Sequence, residues 1–237
     1  MKIKEIVQRV ESMMARGVST SLMSSYISRP WIYNMLVTYR SKLVGQKINK
    51  KQRISQWNKQ TLSCVTLVDV DASECPCDHS GCLVRRTAER LPEFMLGLSD
   101  YAIDGIYTND RKVKINLMGM NGAMYNRHSR YASKLPYAYL HDGYLFLVNC
   151  GDWYSATIVG LFEDPIEAHK WWLDNNACGS DETTCSFDYM EFDFPIDTDM
   201  TDTIVMLCAN ELSMVFQRQP QQKADEDNGN ERRSEDE

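Results

Sequence analysis

The chain has 237 residues, 43% hydrophobic and 25% charged, with a net charge of −7, proportions that suit a folded globular protein of one large domain or two small ones. No stretch approaches the roughly 18–20 consecutive apolar residues of a membrane-spanning helix, and Glu5 and Glu11 interrupt the N-terminus where a secretory signal needs an unbroken apolar centre. Eight cysteines are too dilute for a disulfide scaffold, so the expectation is cytosolic synthesis, reduced thiols and no membrane partner.

The net charge conceals a polarity. Residues 1–60 carry 12 Lys/Arg against Glu5 and Glu11, a net +10; residues 61–217 carry 10 against 24, a net −14; residues 218–237 carry 4 against 7, a net −3. The two ends of the fold should therefore meet different surroundings.

Ile3, Ile6, Val7, Val10, Met13 and Met14 recur at helical spacing, with polar residues between them, and Gly17 follows as a C-cap; the pattern predicts an amphipathic helix. Ser19, Thr20 and Ser21 offer caps for a short helix near 21–27. Pro30 suits a first helical turn, and Ile32, Leu36, Tyr39, Leu43 and Ile48 continue an apolar stripe, predicting a helix from about 30 to 48. Lys47, Lys50, Lys51 and Arg53 gather at its C-terminal end, where the helix dipole favours cations. From about residue 60 the pattern changes to β-branched and aromatic runs: Thr61–Val70, Val113–Leu117, Tyr137–Leu140, Tyr144–Val148 and Ser155–Leu161. His141-Asp142-Gly143 has the chemistry of a tight hairpin, because Asp-Gly tolerates positive φ. Asp164-Pro165 opens a helix through Ala168, Lys170, Trp171 and Trp172, followed by a polar loop from Asn175 to Ser186. Asp197 or Thr198 caps a C-terminal helix of about 18 residues with Met200, Ile204, Leu207, Cys208, Glu211, Leu212 and Val215 on its stripe. Beyond Arg218 almost no apolar side chain remains, so that segment alone in solution should be disordered.

The fold class expected is α+β: N- and C-terminal amphipathic helices packed as a helical body, a β-rich middle and a disordered acidic tail. The expected divisions are residues 1–58, 59–162, 163–218 and 219–237.

The strongest local constellation for chemistry is Cys75-Pro76-Cys77-Asp78-His79-Ser80-Gly81-Cys82, which places four zinc-type ligands within eight residues. Its Cys-x-Cys spacing is unusual for one tetrahedral ion, and Cys178 and Cys185 complete a site only if the fold brings their loop near. A solvent-facing loop rich in turn formers explains the same residues, and a local disulfide is a third option. A zinc-dependent nucleic-acid-binding protein is thus one rival reading. A Cys/His hydrolase is another, yet His128, His141, His169, Ser129 and Cys150 stand in no recognisable nucleophile setting. Gly119 and Gly122 are not followed by the Lys-Ser/Thr of a phosphate loop. The basic stretch Lys47–Arg53 with Trp57 nearby has the makings of a phosphate contact, although a solvated helix end accounts for it as well. Trp153, Trp171 and Trp172 read as core or boundary aromatics, with one ring of the adjacent pair an interface candidate. No catalytic, cofactor or metal residue is assigned.

Four stretches together carry a resemblance: MKIKEIVQRVES at the start, RPWIYNMLVTYRSKLVGQKINKKQRISQWNKQTLSC over Arg29–Cys64, IVGLFEDP over Ile158–Pro165 and FPIDTDM over Phe194–Met200. In this order they resemble the structural proteins of crAss-like phages of Bacteroides that form head-to-tail connector, or portal-adaptor, rings; residues from about 85 to 135 contribute nothing to it. The resemblance implies a non-enzymatic virion protein, made in the host cytoplasm and located in the neck or tail. Such a protein forms a homo-oligomeric ring, usually of twelve copies, below the portal. Its implied partners are the portal protein, further connector or tail ring proteins, and genomic DNA passing through the channel without sequence-specific contact. It implies no cofactor. The tail 219–237 becomes a candidate portal-docking arm.

Overall fold

The computed structural model describes residues 1–15, 28–70, 84–97, 101–126, 134–176 and 187–233. The chain divides into two compact units, residues 1–43 with 190–237 and residues 44–189. The short helix expected near 21–27, the cysteine loop and most of the 175–186 loop lie outside the described residues.

The first unit is helical. Helix α1 (Ile3–Ala15) buries Ile3, Ile6, Val7, Val10 and Met14 and leaves Met13 exposed. Its start is capped by Glu5, whose carboxylate accepts the Lys2 backbone N–H at 3.2 Å. Helix α2 (Arg29–Asn49) begins where the Ser28 carbonyl accepts the Trp31 and Ile32 N–H groups. Helix α5 (Thr198–Arg233), so numbered because α3 and α4 belong to the second unit, opens on the Asp197 carbonyl, which accepts from Met200 and Thr201. Its buried stripe is Met200, Thr201, Ile204, Val205, Cys208 and Leu212. The backbone stays helical to Arg233, well past the expected end near Arg218.

The buried face of α2 differs from the expected stripe. Ile32 and Leu36 are buried as expected, but the face continues through Arg40 and Val44, while Tyr39, Leu43 and Ile48 are only half-buried. A guanidinium can take a core position if its donors are met. Arg40 Nε donates to the Pro195 carbonyl at 2.9 Å, and its charge lies 6.0 Å from the centre of the Phe194 ring. Elsewhere Glu191 accepts from Lys2 at 2.6 Å and also from Lys4, and Arg9 meets Asp202 at 3.4 Å.

The second unit is a closed barrel of seven strands: β1 (Gln60–Asp69), β2 (Val84–Thr87), β3 (Ile103–Thr108), β4 (Lys114–Leu117), β5 (Tyr137–His141), β6 (Tyr144–Val148) and β7 (Ser155–Gly160). The order around the barrel is β1-β2-β6-β5-β4-β3-β7, returning to β1. β4 and β5 pair in parallel, the other neighbours antiparallel. Between β5 and β6, Asp142 (φ 51°) and Gly143 (φ 81°) make the two-residue turn expected from their sequence. Alternation is strict on these strands. Ala138, Leu145 and Leu147 join the main core with Leu62, Val65, Leu67, Ile106, Ile115 and Ile158, while Tyr137, Tyr139, Phe146 and Val148 face the other way into a second cluster. Ala123 of α3 (Met120–Asn126) covers that second face, where the Tyr139 and Phe146 rings stack at 5.1 Å.

β1 carries one extra residue against β7 between Leu62 and Val65, and Cys64 absorbs it at φ 58°. The bulge turns the Ser63 carbonyl to the Trp172 indole N–H, 3.0 Å away on α4 (Pro165–Asn176). Trp171 and Trp172 both pack against the barrel core, so the expected interface ring is instead part of the attachment of α4.

α2 ends in a Schellman motif, with Gln52 N–H on the Lys47 carbonyl, Lys51 N–H on the Ile48 carbonyl and Lys51 in the left-handed region at φ 54°. A side chain there costs about 1 kcal/mol relative to glycine, so Lys51→Gly should raise stability by about 0.5–1 kcal/mol in urea denaturation. In the helical unit, the hydrogen bond from Tyr39 to Glu211, with burial, pushes the phenol up to about 12, and burial pushes the Cys208 thiol up to about 12. Both shifts favour the protonated side chain in the folded state. Their contribution is complete below the ordinary values of 9.0 for the thiol and 10.0 for the phenol and is lost as pH climbs towards about 12. Tyr39→Phe and Cys208→Ala should each flatten the fall of stability between pH 9 and 12, measured by circular dichroism; an unchanged slope in both variants would refute the assignment.

Candidate interaction surfaces

Strand register fixes two ends of the barrel. Gln60, Ile103 and Gly160 lie together at one end, and β4, β5 and β6 place Leu117, His141 and Tyr144 there too; Thr108, Ala156 and Ser155 lie at the other. Each end carries a groove.

At the first end a groove of ≈ 280 Å³ is lined by Pro92, Leu96, Tyr101 and Leu140, with Glu93 and Glu163 among its charged residues. Leu96 is 69% exposed and pairs with Tyr101 through an isolated bridge. Two residues hold the floor. Gly160 takes the Phe94 ring against its backbone, where an added Cβ would come within 2.9 Å of that ring, and Phe94 meets Phe162 at 4.6 Å between ring centres.

At the second end a groove of ≈ 410 Å³ is lined by Val113, Trp153 and Tyr154 together with Thr108, Asn109, Asp110, Lys112 and Ser155. A buried arginine organises it. Arg85 Nε donates to Asp69 at 2.7 Å and Nη1 to the Trp153 carbonyl at 2.6 Å, and its guanidinium backs the exposed Tyr154 ring at 4.4 Å. The turn opposite is equally fixed: the Thr108 hydroxyl and the Lys112 backbone and side chain hold the Asp110 carboxyl down at about 2.

In the helical unit the two most exposed apolar residues lie on α5. Met206 and Met214 are 56% and 57% exposed. With Asp202, Thr203 and Asn210 they occupy the face opposite the buried stripe.

Cys75, Cys77, His79, Cys82, His128, Ser129, Cys178 and Cys185 lie outside the described residues. His141 sits in the hairpin beside Asp142. His169 stacks on Trp172 and meets Phe187, and burial lowers its pKa. Cys150 is buried, its thiol donating to the Leu147 carbonyl at 3.9 Å, and burial raises its pKa, the opposite of an activated nucleophile. Among the described residues no three His, Cys, Asp or Glu side chains gather as a metal site, and no helix is long and apolar enough to cross a membrane.

What the arrangement offers is packing surface. The family comparison agrees with that character: the model of the family described as phage tail ring protein 2 matches residues 5–236. The chain belongs to this phage tail ring protein family. Its role is therefore that of a structural ring component of the bacteriophage virion. None of the curated proteins matches it. For a ring protein the exposed residues matter most, and the sequence did not single out Leu96, Tyr154, Met206 or Met214. Met206 and Met214 carried a weak signal, since both fall outside the helical stripe that includes Ile204 and Cys208.

Proposed function

We propose that this tail ring protein forms one ring of the head-to-tail connector beneath the portal, extending the DNA channel and docking tail proteins. The copy number in this reading is twelve. In this reading the helical unit builds the ring body, the barrel with its attached α4 meets the next ring or tail protein, and residues 219–237 dock on the portal. It is supported by the family match over nearly the whole chain and by the sequence resemblance to connector rings.

The observation that carries the assembly is the outward methionine face of α5. Two methionines more than half exposed on one side of a helix cost solvation in a monomer and suit an adaptable helix–helix contact. A second copy is the partner in this reading. The barrel is closed, so it cannot recruit a neighbour by adding a strand. Its grooves receive apolar side chains of the adjoining ring or tail protein.

Mass photometry and negative-stain imaging of the purified chain should show annular particles, alone or with purified portal. Met206→Lys with Met214→Lys should leave monomers whose circular dichroism is unchanged. Leu96→Asp with Tyr154→Asp should leave rings that no longer bind the adjoining component. A wild-type chain that stays monomeric with portal present would overturn the proposal. Removing residues 219–237 should weaken assembly on the portal at least tenfold, about 1.4 kcal/mol, while rings still form; undiminished portal binding would dismiss the docking arm.

A further inference from the structure

The turn joining α2 to the barrel holds four cations within seven residues, Lys47, Lys50, Lys51 and Arg53, followed closely by Trp57. Lys50, Lys51 and Arg53 are exposed, and among the described residues no carboxylate pairs with any of the four. Lys59, two residues beyond Trp57, shows the contrast by meeting Asp104 at 2.7 Å. Trp57 is 78% exposed, whereas Trp31, Trp153, Trp171 and Trp172 are all half-buried. An indole is among the largest apolar surfaces a side chain offers, and here it stands in water beside cations that meet no carboxylate among the described residues, so ring and charges are both open to an external partner.

The segment is also held in place. The Schellman bonds lock Lys51 and Gln52, the Ser55 hydroxyl accepts the Trp57 N–H at 3.4 Å, Asn58 is buried, and the Lys59–Asp104 pair anchors the chain where it enters β1. Cations and indole are thus presented on a fixed turn at one end of the barrel, and ordering them on a ligand costs little beyond side-chain entropy.

We propose that the Lys47–Trp57 turn is a contact site for DNA, in which the cations meet successive phosphates and the indole stacks on an exposed base. Successive cations next to an unpaired aromatic ring are the two components of strand binding without sequence readout: counterion release from phosphates and stacking on any base. The chain's overall negative charge does not prevent this, because the four cations stand next to one another with no carboxylate paired to them among the described residues, and the local charge that a phosphate meets at contact is positive. The site also goes beyond passage of DNA through a ring, since it holds a strand whether or not rings form.

Fluorescence anisotropy of the full chain with a labelled single strand of about 20 nucleotides, and with its duplex, tests this over a salt series starting near about 20 mM. Four phosphate contacts predict a slope of log K against log salt of about −2.8 for the single strand. Lys50→Gln with Arg53→Gln should reduce that slope by about 1.4 for any sequence. Trp57→Ala should weaken single-strand binding by about tenfold, leave the slope unchanged and affect the duplex far less. No binding by the wild-type chain at about 20 mM salt, or an unaltered slope in the double variant, would overturn the proposal. So would displacement of the DNA by a polyglutamate peptide at lower charge concentration than by unlabelled DNA, which would assign the turn to an acidic protein partner. Ring formation does not enter the readout, so failure here is distinct from failure of the ring proposal.

Discussion

Closure of the barrel rests on β1. This ten-residue strand pairs with β7 through Gln60–Thr66 and with β2 through Leu67–Asp69, so a single strand joins both margins of what would otherwise be an open sheet. The extra residue at Ser63–Cys64 bends it between the two partners, as bulges commonly do at barrel corners. Closure leaves no row of unpaired backbone groups for an approaching strand. The barrel itself therefore offers side-chain surfaces to a neighbour, and closure gives it two ends on which to carry them.

Those ends are made from the same devices that stabilise the fold. Arg85 pairs with Asp69 across β1 and β2 and, in doing so, orients the Trp153 carbonyl and the Tyr154 ring of the second groove. Gly160 admits Phe94 beneath the first. The titratable groups with displaced pKa values have structural partners as well: Glu191 is held down to about 2 by the side-chain hydrogen bonds from Lys2 and Lys4, and Tyr39 is held up by Glu211. Perturbed carboxylates and thiols mark catalytic sites only when they meet in a cleft. These serve the joints between elements, in keeping with a structural ring protein.

Much of the fold was legible in the sequence because local chemistry and tertiary packing agree there. The stripe of α1, the Asp142–Gly143 hairpin, the helix opened by Pro165 and five of the seven strands follow from period and turn chemistry alone. β2 and β3 were hidden for physical reasons. Two of the four residues of β2 are arginines, and both are accommodated by tertiary partners, Arg85 by Asp69 and Arg86 over the Tyr144 ring at 4.7 Å. β3 contains Asp104 and Gly105 and shifts register at that point, which erases its alternation. On α2 the buried face runs through Arg40, which no apolar pattern can show, because tertiary partners, the Pro195 carbonyl and the Phe194 ring, receive its guanidinium. The interaction surfaces were less legible still: Met13 and Met14, or Leu96 and Leu91, are the same residue types on opposite sides of the burial line, and only packing separates them.

The central claim is that rings form through the helical unit while the barrel's grooves stay free for the next component. A cryo-electron reconstruction of the isolated ring tests it directly. The account predicts that Met206 and Met214 are buried against a neighbouring copy and that the grooves at Leu96 and Tyr154 are both open. Neighbouring barrels seated in those grooves, with the methionine face of α5 in solvent, would contradict it.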